Sequence, residues 1–148
     1  MYKHILVSTD GSKLSLKAIK AAASLAGSLG ARLTGVYVMP EYVPPIYGEA
    51  AMYIPEASPR HFKEAVDKEA AAALAVVAKQ AAAAGVRSTG LKVTNAQPWS
   101  AIISTARSKK CDLIVMASHG RRGLAGLLLG SETTKVLTHS KFPVLVCR

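Results

Sequence analysis

The sequence DLIVMASHGRRGLAGLLLGS, residues 112–131, contains the strongest structural signal in the chain. Its five apolar residues from Leu113 to Ala117 predict a buried strand. Ser131 then begins a predicted helix, and the loop between them carries Gly120, Gly123, Gly126 and Gly130. Glycines let backbone N–H groups approach an anion closely, and a helix dipole favours negative charge at the N-terminus. Our central hypothesis is therefore that this loop binds the phosphates of a nucleotide.

The rest of the chain alternates predicted strands with predicted helices. The other strands are predicted at residues 3–8, 32–39, 88–94 and 142–147. The helices are predicted at residues 13–29, 61–84, 98–109 and 131–139. Candidate N-caps are Ser12 for the first helix and Asn95 for the third, and Gly30 is predicted to end the first helix. The alternation predicts an α/β fold in which helices cover both faces of a parallel sheet, with residues 88–94 near an edge.

The composition limits the class of protein. The 148 residues fit one domain, and 50% hydrophobic with 19% charged residues argue against disorder. No apolar run approaches the roughly 20 residues needed to span a bilayer, and the first strand is too short for a signal peptide. Cys111 and Cys147 lack metal-binding spacing and are expected to be reduced. We expect a cytoplasmic protein.

The net charge of +10 favours an anionic partner. The lysines and arginines are scattered over helices, however, no aromatic residues interleave with them, and no nucleic-acid-binding motif occurs. Solvated helix faces explain this charge, and nucleic-acid binding is not expected.

Residues 40–59 predict a long loop. They hold five of the seven prolines and three of the five tyrosines. Proline at this density prevents regular structure, and loops of this length in compact domains are commonly functional. A lid over the site and a passive insertion both remain open for this segment.

The glycine loop matches neither GxxxxGK[ST] nor GxGxxG. Its distinctive feature is the spacing Gly120, nine residues, Gly130-Ser131. With this spacing, with VSTDGS after the first strand and with KVLTHSKFPVLVC at the end, the chain resembles the universal stress protein family from Tyr2 to Arg148. ATP-binding members of that family show Gly-x2-Gly-x9-Gly-(Ser/Thr). The departure is Ala117 at the first glycine, where a methyl group would narrow the ribose site or demand a different φ.

The resemblance implies a single Rossmann-like domain, similar to the adenine nucleotide alpha hydrolases, with five parallel strands in the order 3-2-1-4-5. It also implies an adenine nucleotide site, in which Asp10 and Val38 line the base and ribose pocket, Met116 and Ala117 lie near the ribose, and the loop and helix start meet the phosphates. The implied binding residues are Ser8, Thr9, Asp10, Val38, Met116, Ala117, Gly120, Gly130, Ser131, Glu132 and Thr133. ATP is the implied ligand, with AMP or ADP as alternatives and Mg²⁺ accompanying the phosphates.

The implied function is ATP binding in a stress-response protein that acts as a sensor or switch. The alternatives are slow ATP hydrolysis and an interaction module without nucleotide. The family also implies a homodimer through the last strand, Phe142–Cys147, whose edge a second copy would cover. No catalytic set or metal-ligand cluster is apparent.

Four residues of the predicted loops are less specific signals. Asp10 fits either the nucleotide pocket or a turn. His119 is expected to be a solvated loop histidine. Arg121 and Arg122 either contact the phosphates or form an exposed basic pair.

Overall fold

The computed structural model describes residues 1–44, 58–121, 123 and 128–148. In this part of the chain strands and helices alternate as β1 His4–Ser8, α1 Lys13–Leu29, β2 Arg32–Met39, α2 Pro59–Ala83, β3 Ser88–Thr94, α3 Pro98–Ser108, β4 Leu113–Ala117, α4 Ser131–His139 and β5 Val144–Cys147. The strands form one sheet in the order β3-β2-β1-β4-β5, and every pairing is parallel. The predicted fold class and strand order are confirmed, and β3 lies at an edge as expected.

The two faces of the sheet carry separate hydrophobic cores. Ile5 and Val7 of β1 pack with α1 and with Val77 of α2. Leu6, between them, packs on the opposite face with α3 and with Val136 of α4. Alternate residues of a strand point to opposite faces, so this division follows from the strand geometry. We refer to the side covered by α1 and α2 as the α1 face and to the other as the α3 face.

Helix α2 lies unusually close to the sheet at Gly35 of β2. A Cβ atom at Gly35 would be 2.9 Å from Cγ1 of Val77. Gly90, the partner of Gly35 on β3, faces Leu74 of the same helix at 3.3 Å. The missing side chains therefore let the backbones of α2 and the sheet approach each other.

The ends of α1 are as predicted. Ser12 is the N-cap, and its hydroxyl accepts a hydrogen bond from the Ser15 N–H at 3.1 Å. Gly30 ends the helix with φ of 63°, a left-handed conformation that suits glycine.

Helix α2 begins earlier than predicted. It starts at Pro59, inside the predicted loop 40–59, and Ser58 caps it by accepting the His61 N–H at 3.2 Å. Proline is well tolerated in the first helical turn, so Pro59 opens a helix here instead of extending the loop. Residues 40–44 form neither helix nor strand, as predicted, and residues 45–57 lie outside the described residues.

The predicted cap of α3 was also wrong. Gln97 is the N-cap and forms no side-chain cap bond. The Asn95 side chain instead accepts the Gln97 N–H at 2.7 Å, which makes a turn just before the helix.

Two strands are shorter than predicted. β1 begins at His4, because the Lys3 N–H donates to the Asp112 carboxylate at 2.7 Å. β5 begins at Val144, because the Phe142 N–H donates to the Ser140 hydroxyl at 2.9 Å and Pro143 has no N–H.

Both cysteines are free. Cys111 is buried, and burial raises the pKa of its thiol to about 11. Cys147 is half-buried, and burial raises its pKa as well. Neither environment favours the reactive thiolate. Among the helices of the described residues, none has the length and apolar character to cross a membrane.

Candidate functional site

The predicted site lies at the carboxyl edge of the sheet, between β1 and β4. The Asp10 carboxylate accepts the Ser12 N–H at 2.9 Å and the Arg121 N–H at 2.8 Å. A Cβ atom at Gly120 would be 3.0 Å from Asp10 Oδ2. The turn after β1 and the loop after β4 therefore meet where strand order reverses, the usual ligand position in open α/β sheets. Asp10 has a structural role here, because it fixes both segments.

The N-terminus of α4 lies beside the end of β4. Gly130 is its N-cap, no side chain caps the helix, and the Gly130 N–H donates to the Ser118 carbonyl at 2.7 Å. A Cβ atom at Gly130 would be 3.3 Å from that carbonyl oxygen. The start of α4 is therefore hydrogen-bonded to the end of β4, and no side chain caps it. The N–H groups of its first turn are suited to binding an anion.

Thr133 holds this arrangement in place. Its side chain is buried, and its hydroxyl lies 2.9 Å from the Ala117 carbonyl and 3.2 Å from the Ser118 carbonyl. The hydroxyl hydrogen is therefore committed to β4. Thr133 can serve a phosphate only through its backbone N–H, whereas the exposed Ser131 side chain is available.

The residues expected around the base divide between the two faces of the sheet. Met116 belongs to the core of the α3 face, and Val38 packs against the same core. The half-buried Ser8 belongs to the same face by strand alternation. Thr9 lies on the α1 face, where its hydroxyl is 3.1 Å from the Gly11 N–H and 3.1 Å from the Ser15 hydroxyl.

Ala117 also belongs to the α1 face, where its methyl group packs in the core. Lys110 is the one non-glycine residue with a positive φ in the described part of the chain. The backbone at Ala117 therefore needs no glycine, and its methyl group lies on the opposite face from Val38 and Met116.

The Glu132 side chain serves another helix. Its carboxylate accepts the Trp99 N–H at 2.8 Å and so caps α3, whose own N-cap residue supplies no side-chain bond. This contact joins the first turns of α3 and α4. A phosphate at α4 would meet the Glu132 backbone, because the carboxylate is engaged elsewhere.

Sequence reasoning missed an ion pair beside this site. The Arg121 guanidinium contacts the Glu69 carboxylate of α2 at 2.9 Å, and its Nε donates to the Asp10 carbonyl at 2.6 Å. The hydrogen bond to Glu69 raises the already high pKa of Arg121. The Tyr37 hydroxyl donates to the same carboxylate at 3.4 Å. Burial raises the pKa of this phenol, and the negative charge of Glu69 also raises it. The guanidinium is thus held toward α2.

His119 is not the solvated residue that was expected. Its Nε2 is buried and has no hydrogen-bond partner among the described residues, and its Nδ1 lies 3.1 Å from the Ser118 hydroxyl. Gly123, which donates its N–H to the Gly120 carbonyl at 3.1 Å, forms a turn beside it. Arg122 and Gly126 lie outside the described residues.

A cleft of about 340 Å³ lies on the α1 face, between α1 and α2. Its walls include Leu16, Ile19 and Val76, and Lys13 and Arg121 bring positive charge to its lining. It is distinct from the predicted base pocket, because Val38 and Met116 lie on the other face. Within the described ranges no group of three potential metal ligands occurs.

Comparison with known proteins agrees with this architecture. The profile of the universal stress protein family matches residues 1–148. A universal stress protein of Methanocaldococcus jannaschii is 36% identical over 148 residues, which cover all of this chain and 83% of that protein. The structure of hypothetical protein MJ0577 superimposes with a TM-score of 0.80 at 27% identity, covering 99% of this chain and 96% of that one. A universal stress protein in complex with cAMP gives a TM-score of 0.73 at 28% identity, with 99% and 97% covered.

Proposed function

Because this chain belongs to the universal stress protein family, a family of stress-response proteins, we propose that it binds ATP at the carboxyl edge of its sheet. The proposed domain spans residues 1–148. The observation that carries the proposal is the uncapped N-terminus of α4, drawn onto the end of β4 by the Gly130 N–H. Preorganised backbone donors at a helix start are the arrangement that binds phosphate.

The chemistry of the surrounding residues supports an adenine nucleotide. Val38 and Met116 offer an apolar wall on the α3 face, and the complex of a structural relative with cAMP, which contains an adenine ring, supports this choice of ligand. In the proposed complex the phosphates lie against the backbone at Gly120, Gly130 and Ser131. Glu132 and Thr133 contribute N–H groups, while Ser8, Thr9, Asp10 and Ala117 form the floor. Mg²⁺ enters with the phosphates.

The proposed role is that of a sensor or switch, whose state reports nucleotide occupancy. Two free thiols fit a reducing compartment, and we propose that the protein acts in the cytoplasm.

The purified protein is expected to carry or take up adenine nucleotide. Denaturing it and analysing the released small molecules by chromatography should reveal ATP, AMP or ADP. Calorimetric titration of nucleotide-free protein with ATP and Mg²⁺ should give saturable heat at one site per chain. If neither released nucleotide nor binding heat is found, the protein is not an ATP binder, and the alternative of an interaction module gains support.

The proposal includes a homodimer through the strand Phe142–Cys147. β5 is an edge strand, and its Leu145 side chain is 39% exposed. The carbonyls of Pro143 and Cys147 accept the N–H groups of Ile114 in β4 and of Ser118 just after it, so the backbone groups of alternate residues face outward. A second copy would satisfy these groups.

Charged residues at Val144 and Val146 are expected to convert the dimer into monomers, measured by light scattering. Val144 also packs in the core of the α3 face, so Val146→Pro provides a milder second test. It removes an outward N–H and is tolerated in an edge strand. Val43→Glu, at a valine that is 76% exposed elsewhere, is the control. Variants at β5 that remain as dimeric as this control would refute the interface.

A further inference from the structure

Arg121 is fixed at both its backbone and its side chain. Its N–H donates to the Asp10 carboxylate at 2.8 Å, its Nε to the Asp10 carbonyl at 2.6 Å, and its guanidinium meets Glu69 at 2.9 Å. The guanidinium crosses the turn after β1, since a Cβ atom at Gly11 would lie 3.1 Å from it. The residue that follows Gly120 thus connects the glycine loop to α2.

The Arg121–Glu69 pair is easily broken. The two side chains are 49% and 53% exposed, and ion pairs with such access to water contribute little stability. The further contact of Glu69, with Tyr37, is long at 3.4 Å. A phosphate chain carries more charge than one carboxylate and accepts the same guanidinium donors. Glu69 therefore positions the Arg121 guanidinium in the free protein, but the contact is weak enough for a phosphate to replace it.

The position of Arg121 gives it access to phosphates. It directly follows Gly120, where a Cβ atom would lie 3.0 Å from Asp10 Oδ2, at the proposed phosphate site. Backbone donors in that site treat mono- and triphosphates alike, whereas a cationic side chain gains more from each added phosphate. Arg121 is a cationic side chain among the described residues of the loop, and it can therefore distinguish a triphosphate from a monophosphate.

We propose, on the basis of the proposed function, that Arg121 and Glu69 determine the preference of the site for nucleoside triphosphate over monophosphate. In the free protein Glu69 competes for the guanidinium. In the complex the guanidinium leaves Glu69 for the phosphate chain, and the exchange favours ATP more than AMP.

The test measures dissociation constants for ATP and AMP in the full chain by calorimetry. Glu69→Gln removes the competing charge but keeps an acceptor for Tyr37, and it should tighten ATP binding about three- to fivefold, within the range of an exposed ion pair, with less than about twofold change for AMP. Arg121→Gln should weaken ATP about tenfold and AMP much less. Arg121→Lys should lie between wild type and Arg121→Gln, because it keeps the charge but loses the planar fork.

The chain offers a matched control for Glu69. Glu64 lies on the same helix and pairs with Arg60 at the same 2.9 Å distance, so Glu64→Gln removes one charge without touching the loop. We expect Glu64→Gln to leave the ATP/AMP ratio unchanged. In the Arg121→Gln background, Glu69→Gln should have no further effect on ATP, because the two residues act through one contact.

Two results would overturn the assignment. If Glu69→Gln and Glu64→Gln tighten ATP binding equally, the effect comes from the change in net charge and not from the Arg121–Glu69 contact. An unchanged ATP/AMP ratio in Arg121→Gln would show that the guanidinium never reaches the phosphates. Both are distinct from failure of the proposed function, in which the wild-type protein binds neither nucleotide and the assignment falls with it.

Discussion

Gly120→Val is expected to abolish ATP binding and to leave the fold intact. The added Cβ would lie 3.0 Å from Asp10 Oδ2, and the larger side chain must displace either that carboxylate or the loop. Because Asp10 Oδ2 also accepts the Arg121 N–H, the displacement would spread along the proposed phosphate site. We expect at least about a 100-fold loss of affinity, equivalent to about 2.8 kcal/mol.

Gly130→Val tests the other end of the same loop. Its Cβ would be 3.3 Å from the Ser118 carbonyl and 3.3 Å from the His119 Cα, so α4 must move off β4. Gly130 has φ of −71°, an ordinary value, and Gly130→Ala should therefore cost less binding than valine.

Calorimetry with ATP measures all of these variants, and circular dichroism verifies the fold. Gly30→Ala is the control, since it replaces a left-handed glycine with open space around it, far from the loop. It should lower stability by about 1 kcal/mol without changing affinity. If both valine variants bind ATP as wild type does, the loop is not the phosphate site.

Gly35→Ala is expected to be strongly destabilising. The added methyl would lie 2.9 Å from Cγ1 and 3.1 Å from Cγ2 of Val77, a core side chain that is 1% exposed. Overpacking of this kind costs about 1–3 kcal/mol, and we expect the upper part of that range. Chemical denaturation measures the change in the free energy of unfolding.

A variant in the neighbouring strand β3 provides the control, and a variant at Val77 tests whether the lost stability is restored. Gly90→Ala adds the same methyl on the paired residue of β3, but at 3.3 Å from Leu74, and should cost less than about 1 kcal/mol. Val77→Ala should be destabilising alone, because it leaves a cavity, yet the double variant Gly35→Ala/Val77→Ala should be more stable than the sum of the two. Additive effects would show that the close approach at Gly35 does not limit stability.

Local signals predicted the elements well. α1, β2, β3, β4 and α4 have the predicted bounds, because apolar runs and glycine stops are local features that mark where an element begins and ends. The errors lie at the ends of the elements, where competing hydrogen bonds from side chains determine which residue begins the helix or strand. At α3, for example, Asn95 forms a turn and Gln97 becomes the N-cap.

The meeting of the two predicted loops was predictable, whereas the side-chain contacts between them were not. The rule for parallel sheets places the ends of β1 and β4 together, and the Arg121 N–H, in the loop after β4, indeed donates to the Asp10 carboxylate after β1. The contacts that govern the side chains join distant residues, such as Arg121 with Glu69, 52 positions apart. Glu132 and Trp99 are 33 positions apart. No local pattern encodes such pairs, because they depend on the packing of whole helices.

The orientation of Ala117 has a consequence for how such chains are recognised. Its methyl group packs in the core of the α1 face. Its carbonyl accepts a hydrogen bond from the Thr133 hydroxyl, a contact that does not require a flexible backbone. The demand at this position is for a small side chain, which alanine meets as well as glycine. A search pattern that insists on glycine there would discard chains whose loops are built like this one, while one that accepts either small residue would retain them.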